Sequence, residues 1–146
     1  MDLKPKIMKH NIPVSTIMTK DVITLNRNDN LDTAEILFKK NNIRHIPVVD
    51  QKEIIGMLSY TDLLRISFAD AVDEYEQDVD TIVYNMFTIE QVMAKNLISV
   101  SPRTTIKEVA EILSKREFHA LPVVDEKELV GIVTTTDLIN FLLDQF

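Results

Sequence analysis

Apolar residues fall along this chain in a pattern that is written twice. Behind Asn30, a side chain suited to a helix N-cap, Leu31, Ala34, Leu37 and Phe38 recur at helical spacing and predict an amphipathic helix over 31–40. Ile46-Pro47-Val48-Val49 and Ile54–Ser59 are short apolar runs around the polar group Asp50-Gln51-Lys52-Glu53, which predicts a hairpin of two buried strands. Proline is expected at the start of the first of these strands, where no ladder N–H is needed. Val22-Ile23-Thr24-Leu25 reads as a preceding strand, Val14–Met18 as a helical turn, and Thr61-Asp62 opens a further helix from Leu63 to about Ala71. At an offset of 75 residues the same order returns. Ile98-Ser99-Val100 is the strand, and Thr105 with Glu108 forms a capping box ahead of Ile106, Val109, Ile112 and Leu113. Leu121–Val124 and Leu129–Thr134 form the second hairpin, and Asp137–Gln145 the closing helix.

The offset holds without a gap from Ile17/Val92 to Leu64/Ile139, and 14 of those 48 pairs are identical, including Met18/Met93, Pro47/Pro122, Asp50/Asp125, Gly56/Gly131 and Asp62/Asp137. A fixed-period match of this length is an internal duplication. Each unit is β-α-β-β-α, and the expected fold class is α/β (α+β): two repeats packed sheet to sheet about a pseudo-twofold axis, because one face of each small sheet needs cover. The expected boundaries are a lead-in over 1–13, repeat 1 over 14–71, an acidic helical insert over 72–88 and repeat 2 over 89–146. Within and around the insert, Val72, Tyr75, Val79, Ile82, Met86 and Ile89 are spaced as one helical seam, and Thr88 with Gln91 suggests another capping turn. The chain's two glycines, Gly56 and Gly131, sit mid-strand, where a backbone must come close to a ligand or to the other repeat.

Composition narrows the function more than the fold. The net charge is −7, and residues 65–91 carry seven acids against one base, so the repeats themselves are close to neutral. An acidic chain without a basic stripe does not suit nucleic acid. With no cysteine, thiolate chemistry and disulfides are excluded and a reducing, cytoplasmic location is expected. The sequence shows no apolar leader and no run of about 20 apolar residues, so neither a signal peptide nor a membrane span is expected. No nucleophile–base–orienter set, metal-ligand histidine spacing (His10, His45, His119) or phosphate-loop motif occurs, and no enzyme activity, catalytic residue, cofactor or bound metal is expected.

Two copies of the pattern P-V-V-D … G-h-h-[ST]-x-[ST]-D-L, at Pro47–Asp50 with Gly56–Leu63 and at Pro122–Asp125 with Gly131–Leu138, resemble the CBS domain, and the tandem resembles the paired form called a Bateman module. The resemblance covers residues 14–71 and 89–145. It implies a regulatory sensor that binds adenosine-containing ligands (AMP, ADP, ATP, also S-adenosylmethionine) in clefts between the repeats. It also implies a homodimer, and a regulated partner protein in trans. By the same resemblance, Asp62 and Asp137 hold ribose hydroxyls, while Ser59, Thr61, Thr134 and Thr136 reach toward phosphate beside a helix N-terminus. Arg44, His45, His119 and Ala120 line the middle, with Arg44 suited to bidentate phosphate contact and Ala120 departing from a basic residue. One cleft would use Thr24 with Thr134, Thr136 and Asp137; the other Ser99 with Ser59, Thr61 and Asp62. The same Ser/Thr/Asp motifs are also what a helix cap needs.

Two other readings stay open. One is a ligand-free dimeric scaffold. The other is a magnesium or other divalent-cation sensor using Asp70, Asp73, Glu74, Glu76, Asp78 and Asp80, hard oxygen ligands in one short run. Apolar stripes on the terminal helices (Leu63, Leu64, Ile66, Phe68; Leu138, Ile139, Phe141, Leu142, Phe146) mark the expected dimer surface.

Overall fold

The structure is a computed structural model; it describes residues 11–70 and 84–146, and the description of 67–70 is of the backbone alone. The acidic run 73–80 and most of the apolar seam lie outside the described residues. In chain order the elements are a 3-10 turn Val14–Thr16, β1 Leu25–Asn26, α1 Leu31–Asn41, β2 His45–Asp50, β3 Glu53–Ser59, α2 Tyr60–Asp70, α3 Ile89–Val92, α4 Ile106–Lys115, β4 Ala120–Asp125, β5 Glu128–Thr134 and α5 Thr135–Asp144. The fold is mixed α+β, with the two hairpins where the apolar runs place them.

The compact units do not coincide with the sequence repeats. One unit is Ile23–Leu97; the other joins Ile98–Phe146 to the segment ending at Val22. The segment that opens each repeat therefore packs with the other repeat's hairpin.

In the unit 23–97, β1 runs parallel to β2 with Leu25 opposite Val48, β2 pairs antiparallel with β3, and Ala94 bridges Met57 at the far edge. The Met57 and Ala94 amides exchange hydrogen bonds of 3.0 and 2.9 Å. Helix α1 starts where expected: the Asn30 side chain accepts from the Thr33 amide at 2.9 Å, and it ends at Asn42 in the left-handed region, φ 52°. Its face Leu31, Ala34 and Phe38 joins Leu25, Ile46, Val48, Leu58, Leu63, Tyr84, Ile89 and Met93 in one buried core.

The unit 98–146 repeats this arrangement at the 75-residue offset. Val100 bridges Val123 in parallel, β4 pairs with β5, and Thr19 bridges Ile132 at the far edge. Its core joins Val100, Val109, Leu113, Leu121, Val123 and Val133 to Val14, with Ile17 and Met18 packed against it. Residues 11–13 of the lead-in are tied down here, since the Ile12 carbonyl accepts from the Ile106 amide at 2.9 Å and Pro13 bridges Thr105. Both capping boxes, Thr105/Glu108 and Thr88/Gln91, are formed. The Thr105 amide and hydroxyl both donate to Glu108, which holds that carboxyl below its ordinary pKa. A lowered folded-state pKa means that this cap's contribution is present above the unfolded carboxylate pKa and is lost as pH falls through the folded one.

Three expectations need correction. The first strands are shorter than the apolar runs: only Leu25–Asn26 forms a strand, and Ile98–Val100 contributes a single bridge. Residues 22–24 and 98–99 make no ladder pairing; on the C-terminal side the pairing stops where Asp29 accepts from the Asn26 amide at 2.8 Å and Thr104 from the Ser101 amide at 3.0 Å. The prolines are not at strand starts. Pro122 is the third residue of β4, and its carbonyl accepts from Val100. Its nitrogen lies on that same side, ahead of where the parallel pairing begins, so no ladder bond is lost. Leu63, assigned to an exposed stripe, is fully buried.

The glycines now have a cause. A Cβ on Gly131 would stand 2.6 Å from Met18 Sδ and 3.0 Å from the Thr19 carbonyl oxygen; one on Gly56 would overlap the Met93 side chain, with Cγ at 2.8 Å. The close approach is to the segment exchanged from the other repeat, and it is the same approach in both units.

Candidate functional site

Each hairpin brings predicted site residues to one end of its unit. In the unit 23–97, His45 opens β2 and pairs with Ser59, the last residue of β3. The Tyr60 amide donates to the Arg44 carbonyl at 2.9 Å, which fixes the start of α2 beside the start of β2. Because β1 is parallel to β2, the residue just before it, Thr24, lies at this same end. Thr24, Arg44, His45, Ser59, Thr61 and Asp62 therefore share one strand-end loop set. In the unit 98–146, Ala120 pairs with Thr134, the Thr135 amide donates to the His119 carbonyl at 3.0 Å, and Ser99 precedes the Val100 bridge. Ser99, His119, Ala120, Thr134, Thr136 and Asp137 form the equivalent set.

Both motifs are helix caps as well. Ser59 Oγ accepts from the Asp62 amide at 3.0 Å, and the Ser59 amide donates to Asp62 Oδ2 at 3.3 Å. Thr134 Oγ1 accepts from the Asp137 amide at 3.2 Å, and the Thr134 amide donates to Asp137 Oδ2 at 2.9 Å. The caps fix each Asp rotamer while leaving carboxylate lone pairs over, since each oxygen can accept twice. Thr24, Arg44, Thr61, Ser99, His119 and Thr136 are exposed; the Arg44 guanidinium has no hydrogen-bond or ion-pair partner among the described residues. What these loops present is hydroxyl donors, two fixed carboxylates and one uncommitted guanidinium, a set that suits a polyhydroxylated ligand carrying an anionic group.

The residue that motif reasoning missed is Arg65. Its Nη1 lies 3.2 Å from Asp62 Oδ1, while the equivalent position, 140, is Asn. The signal was available as an acid–base pair three residues apart on a helix.

The opposite end of the unit 23–97 holds an open cavity of about 500 Å³ lined by Arg27, Asn30, Phe87, Thr88 and Glu90 among others. Arg27 is committed there, to Asp50 at 2.9 Å and Glu90 at 3.1 Å. Those hydrogen bonds, to Asp50 first and then to Glu90, raise its pKa further. Glu90 belongs to the exchanged segment, so this cluster ties the segment to the hairpin. No group of three or more metal-ligating side chains occurs among the described residues, and no described helix is long and apolar enough to cross a membrane.

The CBS domain family matches residues 14–69 and 89–144. An uncharacterized protein of Methanocaldococcus jannaschii is 34% identical over 133 residues, covering 90% of this chain and 43% of that one. A CBS domain-containing protein of Bacillus subtilis, YhcV, is 30% identical over 125 residues, covering 86% and 81%. Among solved structures, the CBS domain pair of protein MJ0100 in complex with 5′-methylthioadenosine and S-adenosylmethionine superposes with a TM-score of 0.72 at 28% identity, covering 89% of this chain and 98% of that one. This chain spans less than half the length of the two M. jannaschii relatives most similar to it here. Relatives with enzyme names match over a quarter of their length or less. Such pairs are regulatory modules carried beside catalytic parts.

Proposed function

The chain belongs to the CBS-domain family, and from that premise we propose that it is a regulatory module whose strand-end loops bind adenosine-containing ligands and pass the bound state to a separate protein. The observation that carries this is the duplicated capped Asp, with the hydroxyls of Ser59, Thr61, Thr134 and Thr136 around it and an uncommitted Arg44 at the same loop end as Asp62. Asp62 and Asp137 accept from ribose hydroxyls. Thr24, Ser99 and the Ser/Thr pairs contribute polar contacts, Arg44 and His45 bind phosphate, and His119 holds the equivalent place in the other set. The complex of a related pair with 5′-methylthioadenosine and S-adenosylmethionine supports the adenosine class. AMP, ADP and ATP are the nucleotides the phosphate-binding groups favour.

A thermal-shift series with AMP, ADP, ATP, 5′-methylthioadenosine, S-adenosylmethionine and Mg²⁺ tests it. A ligand at about 100 times its dissociation constant should stabilise the chain by about 2.7 kcal/mol. A shift with an adenosine compound supports the reading. A shift with Mg²⁺ alone would favour cation sensing through the acidic run, and no shift at all would favour the scaffold.

The second part of the reading is a homodimer. Ile139, Leu142, Leu143 and Phe146 on and just beyond α5 are all more than half exposed, an apolar stripe suited to its own copy about a twofold axis. Light scattering should give about twice the chain mass of 16.8 kDa, reduced to the single mass by Leu142→Asp with Phe146→Asp.

A further inference from the structure

The two loop sets are built alike but charged differently. On the 23–97 side, Arg65 pairs with Asp62 and Arg44 belongs to the same loop set, two guanidinium groups to one carboxylate. On the 98–146 side, the equivalent positions are His119 and Asn140, and Asp137 has no ion-pair partner among the described residues; Arg116 and Glu117 just before His119 are adjacent opposite charges. Arg65 is mostly exposed, and its one hydrogen-bond and ion-pair partner among the described residues is Asp62 Oδ1. An exposed pair of this kind is weak, so the guanidinium, held at Asp62 in the first turns of α2, moves to a stronger anion at little cost. Asp137 Oδ1, by contrast, has no partner among the described residues.

Resting on the proposed function, we propose that the two loop sets select ligands of different charge, and that positions 65 and 140 set the difference. Arg65, with Arg44, makes the first set a half-site for a phosphate-bearing adenine nucleotide. Asn140 leaves Asp137 unneutralised, so the second set takes an adenosine compound without phosphate, uncharged or cationic. A phosphate brought near Asp137 meets a like charge with no screening cation, whereas ribose hydroxyls or a cationic substituent meet an acceptor.

Calorimetric titration of the full chain with AMP and with 5′-methylthioadenosine tests this. The unaltered chain should bind both at once. Arg65→Asn should weaken AMP about five- to tenfold and leave 5′-methylthioadenosine within about twofold, and Arg65→Lys should keep most of the AMP affinity. Asn140→Arg should raise AMP stoichiometry by a second site. The inference is overturned if the two ligands displace one another, if Arg65→Asn weakens both equally or neither, or if Asn140→Arg leaves AMP binding as it was. Binding of neither compound to the unaltered chain removes the proposed function as well, whereas binding of both without regard to these charges removes this inference alone.

Discussion

Gly131→Val is expected to destabilise the chain by about 3 kcal/mol, the upper end for forcing extra carbon into a packed site. For a chain of this length that lowers the melting temperature by roughly 6–12 °C. The first added carbon already falls 2.6 Å from Met18 Sδ and 3.0 Å from the Thr19 carbonyl oxygen, and that oxygen is itself bonded to the Ile132 amide at 3.0 Å. The methionine can swing away, but the backbone carbonyl cannot without breaking the bridge that holds residues 14–22 to the hairpin. The two obstacles can be separated. In a double-mutant cycle, Gly131→Ala with Met18→Ala should recover part of the loss, with a coupling of about 1–2 kcal/mol. Gly131→Ala that melts like the parent would show that the exchanged segment does not press on the strand as described.

Asp137→Asn separates the cap from the ligand site. Asparagine keeps an oxygen that can accept from the Thr134 amide, the bond now made by Oδ2 at 2.9 Å, so the helix start and the melting temperature should change little. What is lost is the charge and an acceptor, replaced by a donor that faces ribose hydroxyls. The adenosine ligand should weaken by about 2 kcal/mol, roughly thirtyfold, as expected for a hydrogen bond to a charged group. If the aspartate is only a cap, calorimetry will show unchanged affinity in this variant.

How far the sequence reveals this molecule depends on the range of the forces involved. Local rules found the hairpins, α1 behind Asn30 and the capping boxes at Thr88 and Thr105, because a cap or a hairpin is decided by residues three or four apart. They overextended the strand at 22–25 on its N-terminal side, where residues 22–24 make no ladder pairing, and stopped it one residue short of Asn26. They did not say which hairpin residues 14–22 and 89–97 pack against. Which sheet edge a short segment joins is a long-range choice, and the two hairpins offer nearly identical edges. The repeat did hold one trace of it: Met18 and Met93 are identical at the offset, as are Gly56 and Gly131, and they prove to be packing partners across the exchange. The two capped motifs were legible because Ser59–Asp62 and Thr134–Asp137 recur at the same offset as Arg44 and His119, whereas the sequence reading grouped Thr24 with Asp137 and Ser99 with Asp62. Arg65 escaped notice because it belongs to no motif, and what sets it apart is the contrast with Asn140 at the equivalent position.

The most direct measurement is the backbone amide spectrum of the full chain titrated with AMP. The account predicts saturable shifts centred on Thr24, Arg44–His45 and Ser59–Asp62, at the strand ends that carry the capped Asp62, with Ser99, His119–Ala120 and Thr134–Asp137 moving when 5′-methylthioadenosine is then added. Shifts confined to the opposite end, around Arg27, Asp50 and Glu90, or an unchanged spectrum at millimolar AMP, would contradict it.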